Sequence, residues 1–387
     1  MLYEIHMLKN YPPTNLNRDD TGSPKTCVFG GVTRGRISSQ CLKRSWRKSD
    51  LLQKEVGAEN FGIRTRRLPD LVAERLLKDG APADQVDAIK PILVDFVKKE
   101  KTSEKEDESE KKKESEKVLL TKQIIFYSAQ DIESIVNTVR KKLENCKTVK
   151  DIKKIKVKDL QDALSDMGIP RPVTLDIALF GRMVTSDAFR DVEASMQVAH
   201  AISTNKVTVE SDYFTAMDDL LDGGSMDEQG AGMIGDIDYN ASCYYLYASL
   251  DTDALHDALK DADNADEIIA AAVPALLRTM AFSNPGGKQN SFAGHVLPSC
   301  FMVECKEKKI PTSMVNAFVE PVKGSDIVKE SIQKLANETD MFADNFGLPV
   351  KERLWFCVDK YQISPHSASR VCKTFPELVE AAADLLK

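Results

Sequence analysis

Residues 30–48 combine the features with which proteins bind phosphate groups. They place a glycine turn and a basic loop, which contains Arg34 and Arg36, in front of an amphipathic helix. Ser38 or Ser39 is a natural N-cap, and the free N–H groups at a helix start attract anions. The helix would carry more polar and basic side chains on its first turns and outer face, namely Gln40, Lys43, Arg44, Arg47 and Lys48. The alternative is an ordinary solvated helix face.

Charge is unevenly distributed along the chain. The 387 residues carry a net charge of −7, yet residues 1–50 hold nine Lys or Arg against four Asp or Glu. Affinity for a polyanion depends on the cations that displace counterions and not on average charge, so nucleic acid remains a candidate partner. The segment from Val207 to Asn240 has no Lys or Arg and would suit head-to-tail self-association. Its nine acidic residues are Glu210, Asp212, Asp218, Asp219, Asp222, Asp227, Glu228, Asp236 and Asp238.

Length and composition predict a globular protein with a large core. A chain that is 42% hydrophobic over 387 residues should form one elaborated domain or two to three subdomains. No stretch resembles a signal peptide or membrane span, which favours the cytoplasm. The eight cysteines and five histidines lack metal-ligand spacing, so we predict reduced thiols, no metal and no cofactor. Among the histidines, His200 is interpreted as a packing residue.

Hydrophobic periodicity predicts an α+β core with two excursions. Strands are expected over 2–8 (ending at a turn over 10–13), 172–183, 243–250 and 296–305, and helices over 38–49, 265–282 and 325–346. One excursion is a helical insertion whose middle, 98–117, has eight Lys against eight acidic residues and indicates a solvated linker or frayed helix. The other is a long, acidic, glycine-containing hairpin. The order is βαββαβ, which is typical of a ferredoxin-like core.

Seven short segments, in order between residues 16 and 289, resemble the CasC-type (Cas-seven family) backbone subunit of Cascade, the type I-E CRISPR surveillance complex. They are Leu16-Asn17-Arg18-Asp19-Asp20, Phe29-Gly30-Gly31, Arg36-Ile37-Ser38-Ser39-Gln40-x-Leu42-Lys43-Arg44, Asp176-Ile177-Ala178-Leu179-x-Gly181-Arg182-Met183, Ala199-His200-Ala201-Ile202-Ser203-Thr204, Phe214-Thr215-Ala216-x-Asp218-Asp219-Leu220 and Pro285-Gly286-Gly287-Lys288-Gln289. The helical insertion and the last hundred residues match only in general character.

The resemblance implies a hand-shaped α+β protein. A ferredoxin-like, RRM-like palm would comprise 1–51, 170–199 with a central strand, and 243–387. Helical fingers would occupy 52–169, and a thumb β-hairpin would occupy 200–242.

The resemblance also implies a non-catalytic subunit that binds CRISPR guide RNA. Copies would stack head to tail along the guide, beside other Cascade subunits, and present it for pairing with target DNA in antiviral defence. It implies phosphate contacts from Arg18, Ser38, Gln40, Lys43, Arg44 and Arg47, which would add to Arg34 and Arg36. Met183 and Phe214 would wedge at kinks of the RNA, and Lys288 with Gln289 would line the palm groove. The alternatives are a core position for Met183, a hairpin anchor for Phe214 and a polar turn for the last pair.

Two other functions compete with the RNA scaffold. Asp19 and Asp20 could hold a metal for phosphodiester hydrolysis, as palm-loop aspartates do in the related type III backbone proteins, or could cap the loop beside Arg18. The third possibility is a polymerising protein whose basic patch meets only the acidic hairpin of its neighbour. We expect the scaffold.

Overall fold

The computed structural model describes residues 1–97, 119–166, 171–184, 186, 188–216 and 233–386. The Lys/Glu-rich segment at 98–117 and the central part of the acidic hairpin, 217–232, lie outside the described residues. Within them, the chain forms the mixed α+β structure that the sequence predicts.

The described strands form one large sheet and one small sheet. They are β1 (Leu2–Thr14), β2 (Thr26–Phe29), β3 (Val32–Ile37), β4 (Ile63–Thr65), β5 (Ile125–Tyr127), β6 (Met196–Val198), β7 (Ala201–Ser203), β8 (Glu210–Ala216), β9 (Met233–Asp251), β10 (Cys300–Lys306), β11 (Glu352–Cys357) and β12 (Arg370–Val371).

The described α-helices range from four to 20 residues in length. They are α1 (Ser39–Arg47), α2 (Asp50–Val56), α3 (Leu68–Lys78), α4 (Ala83–Ile89), α5 (Ala129–Glu144), α6 (Val149–Ile152), α7 (Val157–Asp166), α8 (Leu175–Phe180), α9 (Thr252–Leu259), α10 (Ala265–Phe282), α11 (Gln289–Phe292), α12 (Ile327–Phe346) and α13 (Phe375–Asp384). Helix α10 has the bounds that the sequence predicts.

The chain divides into two compact units. The first comprises residues 1–56, 196–253 and 269–387, and the second comprises 57–195 and 254–268.

The first unit is built on a large, mostly antiparallel sheet. Its strand order is β12-β11-β10-β1-β9-β7-β3-β2, and β6 and β8 also pair with β9. Strand β1 lies between β9 and β10 and is buried without interruption from Leu2 to Lys9. Helix α12 contributes Leu335 to an apolar core on this sheet that also contains Tyr245, Phe318 and Trp355. These aromatic side chains bury much of the apolar surface that stabilises the unit.

The second unit is mainly helical and has its own core. Helices α3, α5 and α7 enclose apolar side chains such as Leu76, Val139 and Leu164, and the short β4–β5 pair adds Tyr127. Helix α5 begins with a capping box in which Ser128 and Asp131 exchange hydrogen bonds with each other's backbone N–H groups. In its described residues, the insertion predicted to be helical therefore consists mainly of helices, with the short β4–β5 pair beside them.

The strand predicted over 172–183 is wrong. Residues Leu175–Phe180 form α8, and all five residues from Leu175 to Leu179 are buried. A short apolar run fits a buried strand or a buried helix equally well, because side-chain alternation disappears when every side is buried. Gly181 ends the helix with a φ of +82°, a conformation that favours glycine.

The predicted end of the first strand is also wrong. Strand β1 does not stop at the Pro12-Pro13 pair but continues to Thr14, and its register with β9 shifts between Tyr11 and Thr14. Proline has no N–H group to donate to a neighbouring strand, and such an irregularity is one of the places where a strand tolerates it.

Strands β8 and β9 form the arms of the predicted hairpin. Seven residue pairs join them, from Glu210 opposite Tyr239 to Ala216 opposite Met233. Strand β9 is 19 residues long and continues from this hairpin into the middle of the large sheet. Among the described helices, none has the length and apolar character that crossing a membrane requires.

Arg34 on β3 is completely buried and joins three parts of the first unit. Its guanidinium donates to the carbonyl oxygens of Ser203 (2.8 Å) and Thr204 (2.9 Å) at the end of β7. It also donates to the carbonyl oxygens of Phe318 (2.7 Å) and Val319 (3.1 Å). Four backbone acceptors therefore depend on one side chain.

We expect Arg34→Met to lower the free energy of unfolding by about 3 kcal/mol or more, because it leaves buried carbonyl groups without donors. Urea denaturation would measure the loss. Arg44→Met is the matched control, since Arg44 is exposed and should change stability by less than about 0.5 kcal/mol. Equal midpoints for the two variants would contradict the structural role of Arg34.

Candidate functional site

Asn17 connects a loop, a strand and a helix at one end of the large sheet. Its side-chain Oδ1 accepts a hydrogen bond from the Ser38 N–H at 2.8 Å, and its carbonyl oxygen accepts one from the Lys25 N–H at 2.8 Å. The Lys25 carbonyl in turn accepts the Arg36 N–H at 2.8 Å. These bonds hold the loop over 17–25 against the end of β3 and the start of α1.

Helix α1 begins as the sequence predicts but presents a narrower polar face. Ser38 is the N-cap, and its hydroxyl accepts the Cys41 N–H. Gln40 and Arg44 are exposed and Lys43 is half-buried, where burial lowers the pKa of its ammonium group. Arg47 is only 8% exposed and shares the buried face of the helix with Leu42 and Trp46. The predicted outer-face position of Arg47 is therefore wrong.

Lys25, Arg36 and Arg44 form what we call the basic cluster. The positive charges of Lys25 and Arg44 lower the pKa of the Cys41 thiol, although burial has the larger effect and raises it. The positive charges of Arg36 and Lys25 lower the pKa of His200. Within the described part of the chain, none of the three lies within 4 Å of a carboxylate. Cations without a carboxylate partner, two of them just before a helix N-terminus and one farther along that helix, are suited to binding phosphate groups.

Arg18 is exposed in the same loop and forms an isolated bridge with Pro24. Arg34, in contrast, is buried with its guanidinium bonded to four carbonyl oxygens, so its predicted phosphate contact is wrong. The Arg34 guanidinium stabilises the interior of the first unit by bonding backbone carbonyl groups. Ser38 is also largely buried, and its hydroxyl is engaged in capping.

His200 is exposed, not a packing residue as predicted. It lies between β6 and β7, and its Nδ1 is 3.1 Å from a terminal guanidinium nitrogen of Arg36. Burial, followed by the charges of Arg36 and Lys25, lowers its pKa. A neutral imidazole therefore borders the basic cluster.

Asp19 organises the loop that precedes this cluster. Its Oδ1 accepts hydrogen bonds from the Thr21 hydroxyl (2.8 Å), the Thr21 N–H (3.0 Å) and the Ser23 N–H (3.0 Å). These bonds, above all the one from the Thr21 hydroxyl, hold the pKa of Asp19 below its usual value. Asp20 is exposed. No group of three or more His, Cys, Asp and Glu side chains in the described ranges is placed to hold a metal ion.

The turn with Lys288 and Gln289 packs against the segment that leads into the loop. A Cβ atom on Gly287 would lie 2.2 Å from the carbonyl oxygen of Leu16, so only glycine permits this approach. Lys288 adopts a φ of +49°, and the Gln289 amide donates to the Pro285 carbonyl at 2.7 Å. The predicted pair therefore lies near the start of the loop.

Met183 belongs to the second unit and is 89% exposed, which excludes the alternative that it fills the core. The preceding residue fixes its backbone. Arg182 is buried, and its guanidinium donates to Asp131 Oδ2 at 2.8 Å and to the Phe126 carbonyl at 3.3 Å. The bonds of Arg182 thus hold the backbone at a point where the apolar side chain of Met183 is exposed to solvent.

Phe214 lies on β8 opposite Gly235 of β9. A Cβ atom on Gly235 would lie 2.6 Å from the Phe214 ring, so the ring covers this glycine. Tyr213, Met233 and Ile234 are exposed on the hairpin arms. The described arms therefore combine exposed apolar side chains with four carboxylates, those of Glu210, Asp212, Asp236 and Asp238.

Sequence reasoning missed Asn17, Lys25 and His200 as members of the site. Asn17 and His200 stand in segments that carry the family resemblance, but their bonds join separate elements: Asn17 bonds Ser38, 21 residues away, and His200 bonds Arg36, 164 residues away. Lys25 follows Pro24 in the basic amino-terminal region, and that charge is the one signal that could have identified it.

A family model supplies the first comparison with known proteins. The model described as "CT1975-like protein" matches residues 3–381 of the chain. No curated protein matches.

Two solved structures are similar over the whole of both chains. A chain from a structure titled "CRISPR RNA-guided surveillance complex, pre-nicking" is 26% identical, with a TM-score of 0.82. A chain from a structure titled "CRISPR RNA-guided surveillance complex" is 23% identical, with a TM-score of 0.71, and this second likeness concerns the fold alone.

Proposed function

Because the chain belongs to the CT1975-like protein family, we propose that it is a backbone subunit of a CRISPR surveillance complex and binds the guide RNA. The similar solved chains come from complexes whose titles describe them as RNA-guided. The basic cluster is the observation in this chain that carries the proposal.

The geometry of the basic cluster supports binding to an RNA backbone. Lys25 and Arg36 precede α1 and Arg44 stands in its last turn, and none of the three has a carboxylate partner among the described residues. Phosphate oxygens would provide the anionic partners that these cations lack among the described residues, and Arg18 extends the same loop. Contacts of this kind position a strand without reading its sequence, which a subunit serving many guides requires.

The finer features of the proposal follow from the family resemblance of the sequence. They are a type I-E complex, an RRM-like palm, helical fingers and a thumb hairpin, and a cytoplasmic location. Target DNA would reach the protein by pairing with the guide. The exposed side chain of Met183 favours its proposed contact with RNA bases, and Phe214 on the hairpin is proposed for the same role.

Head-to-tail assembly is part of the same proposal. The arms of the hairpin carry Asp212 and Asp236 and, in their described residues, no cation. They would repel RNA phosphates but attract the basic surface of the next copy. The apolar side chains on the arms would then be free to meet the bases.

We also propose that the subunit has no nuclease activity. Asp19 accepts three hydrogen bonds from its own loop, an arrangement that serves loop structure. The alternative, a metal-dependent ribonuclease that uses Asp19 or Asp20, requires these carboxylates to bind a divalent cation instead.

Replacing Lys25 and Arg44 together by Glu should weaken RNA binding by roughly tenfold or more, similarly for all guide sequences. The slope of log affinity against log salt should become shallower by about 1.4, since each lost phosphate contact removes about 0.7 for a single strand. Fluorescence anisotropy at several salt concentrations would measure both.

The matched control is Lys329→Glu with Lys351→Glu, which changes charge equally at two exposed positions outside the cluster. It should bind RNA nearly as the wild type does. A loss of binding restricted to particular guide sequences would contradict the backbone role.

Replacing Asp19 and Asp20 by Ala should remove no RNA-cleaving activity, because we expect none in the wild type. Loss of the Asp19 bonds should loosen the loop and reduce affinity slightly. Incubating the purified wild type and the variant with labelled RNA and Mg²⁺ or Mn²⁺ checks this. Metal-dependent cutting that disappears in the variant would favour the nuclease alternative.

Asp212→Lys with Asp236→Lys should reduce the cooperativity of assembly along a long RNA, because both carboxylates lie on the described hairpin arms. Binding of one copy to a short RNA should not weaken. Sedimentation and native gel shifts on RNAs of two lengths would separate these effects. Unchanged cooperativity would show that the hairpin carboxylates do not join neighbouring copies.

A further inference from the structure

His200 has a position that the RNA-binding proposal leaves unexplained. It is exposed beside two cations, yet as a neutral imidazole it adds no positive charge to the basic cluster. We propose, on the basis of the function inferred above, that His200 takes up a proton when RNA binds and that its imidazolium then holds a phosphate together with Arg36 and Lys25.

The sheet places His200 and Arg36 on the same face. Arg36 on β3 is paired with Ile202 on β7, and His200 is two residues before Ile202. Side chains that are diagonal neighbours in an antiparallel pair lie within reach of each other. The contact of 3.1 Å between Arg36 and Nδ1 agrees with this register.

Two charged groups face the imidazole, Arg36 from β3 and Lys25 from the preceding loop. Both are cations, and no carboxylate of the described residues shifts its pKa. With burial, they favour the neutral ring, in which Nδ1 accepts a hydrogen bond from Arg36 and Nε2 carries the proton. His200 is therefore uncharged at neutral pH in the absence of RNA.

A phosphate at the cluster changes this balance. Its oxygens replace Nδ1 as acceptor for the Arg36 guanidinium, and Nδ1 then takes one proton from solvent. The negative phosphate favours the imidazolium, so bound RNA raises the pKa of His200. Because binding takes up a proton, linkage requires RNA affinity to increase as the pH falls between the bound and free pKa values.

The test measures RNA affinity of the full chain between pH 8 and 5.5 at constant ionic strength. The probe is a short oligouridine with a pH-insensitive rhodamine label, because uracil does not titrate in this range. We expect wild-type affinity to rise about three- to tenfold per pH unit over part of the range. His200→Gln should lose this rise and bind several-fold more weakly than the wild type at pH 5.5.

His256→Gln is the matched control, since His256 is exposed in α9 and lies 3.4 Å from Asp266, away from the cluster residues in sequence. It should keep the wild-type pH profile. Calorimetry of wild-type binding at pH 7 in two buffers of different ionisation enthalpy gives the number of protons taken up without any variant.

The outcomes separate this inference from the function on which it rests. Binding with a flat pH profile and no proton uptake overturns the role of His200 but leaves the RNA-binding proposal intact. A pH-dependent rise that persists in His200→Gln assigns the proton to another group and also overturns the inference. Failure to bind oligouridine and guide RNA at every pH overturns the proposed function itself.

Discussion

The candidate site depends on the hydrogen bonds that the buried guanidinium of Arg34 donates. Four carbonyl oxygens, two at the end of β7 and two at 318–319, direct their lone pairs to this one group. Strand β3 is thereby fixed between distant parts of the first unit. Arg36, the capping residue Ser38 and helix α1 follow on that strand, so the geometry of the basic cluster rests on a cation that never meets solvent.

The cluster is small because the chain places its cations in three different environments. Arg34 and Arg47 are buried, Lys43 is half-buried, and Lys25, Arg36 and Arg44 remain available without a carboxylate partner in the described structure. A protein of net charge −7 thus keeps a locally basic surface, where we propose that RNA binds. Counterion displacement needs only these few groups.

The sequence predicts long periodic elements well and tertiary placement poorly. Helix α10 was predictable to the residue, because its length and alanine content favour one structure. The α8 segment was not, because a short run buried on all sides loses the alternation that distinguishes strand from helix. Local chemistry limited the N-cap of α1 to Ser38 or Ser39, and the structure has Ser38.

The members of the site show the same division. The exposed positions of Gln40 and Arg44 follow from helical spacing, but the burial of Arg47 does not, since the buried face of α1 is wider than its apolar residues indicate. The roles of Arg34 and His200 depend on partners more than 150 residues away in sequence. No local pattern records such contacts.

The continuous strand β9 has a mechanical consequence. Its 19 residues extend for about 60 Å, so one backbone serves both as an arm of the hairpin and as a central strand of the sheet. A force that pulls the hairpin along this strand would load the β1–β9 ladder in shear, where many hydrogen bonds share the tension. A pulling force on the hairpin would therefore be resisted by many β1–β9 hydrogen bonds at once, and the sheet would not separate one hydrogen bond at a time from one end.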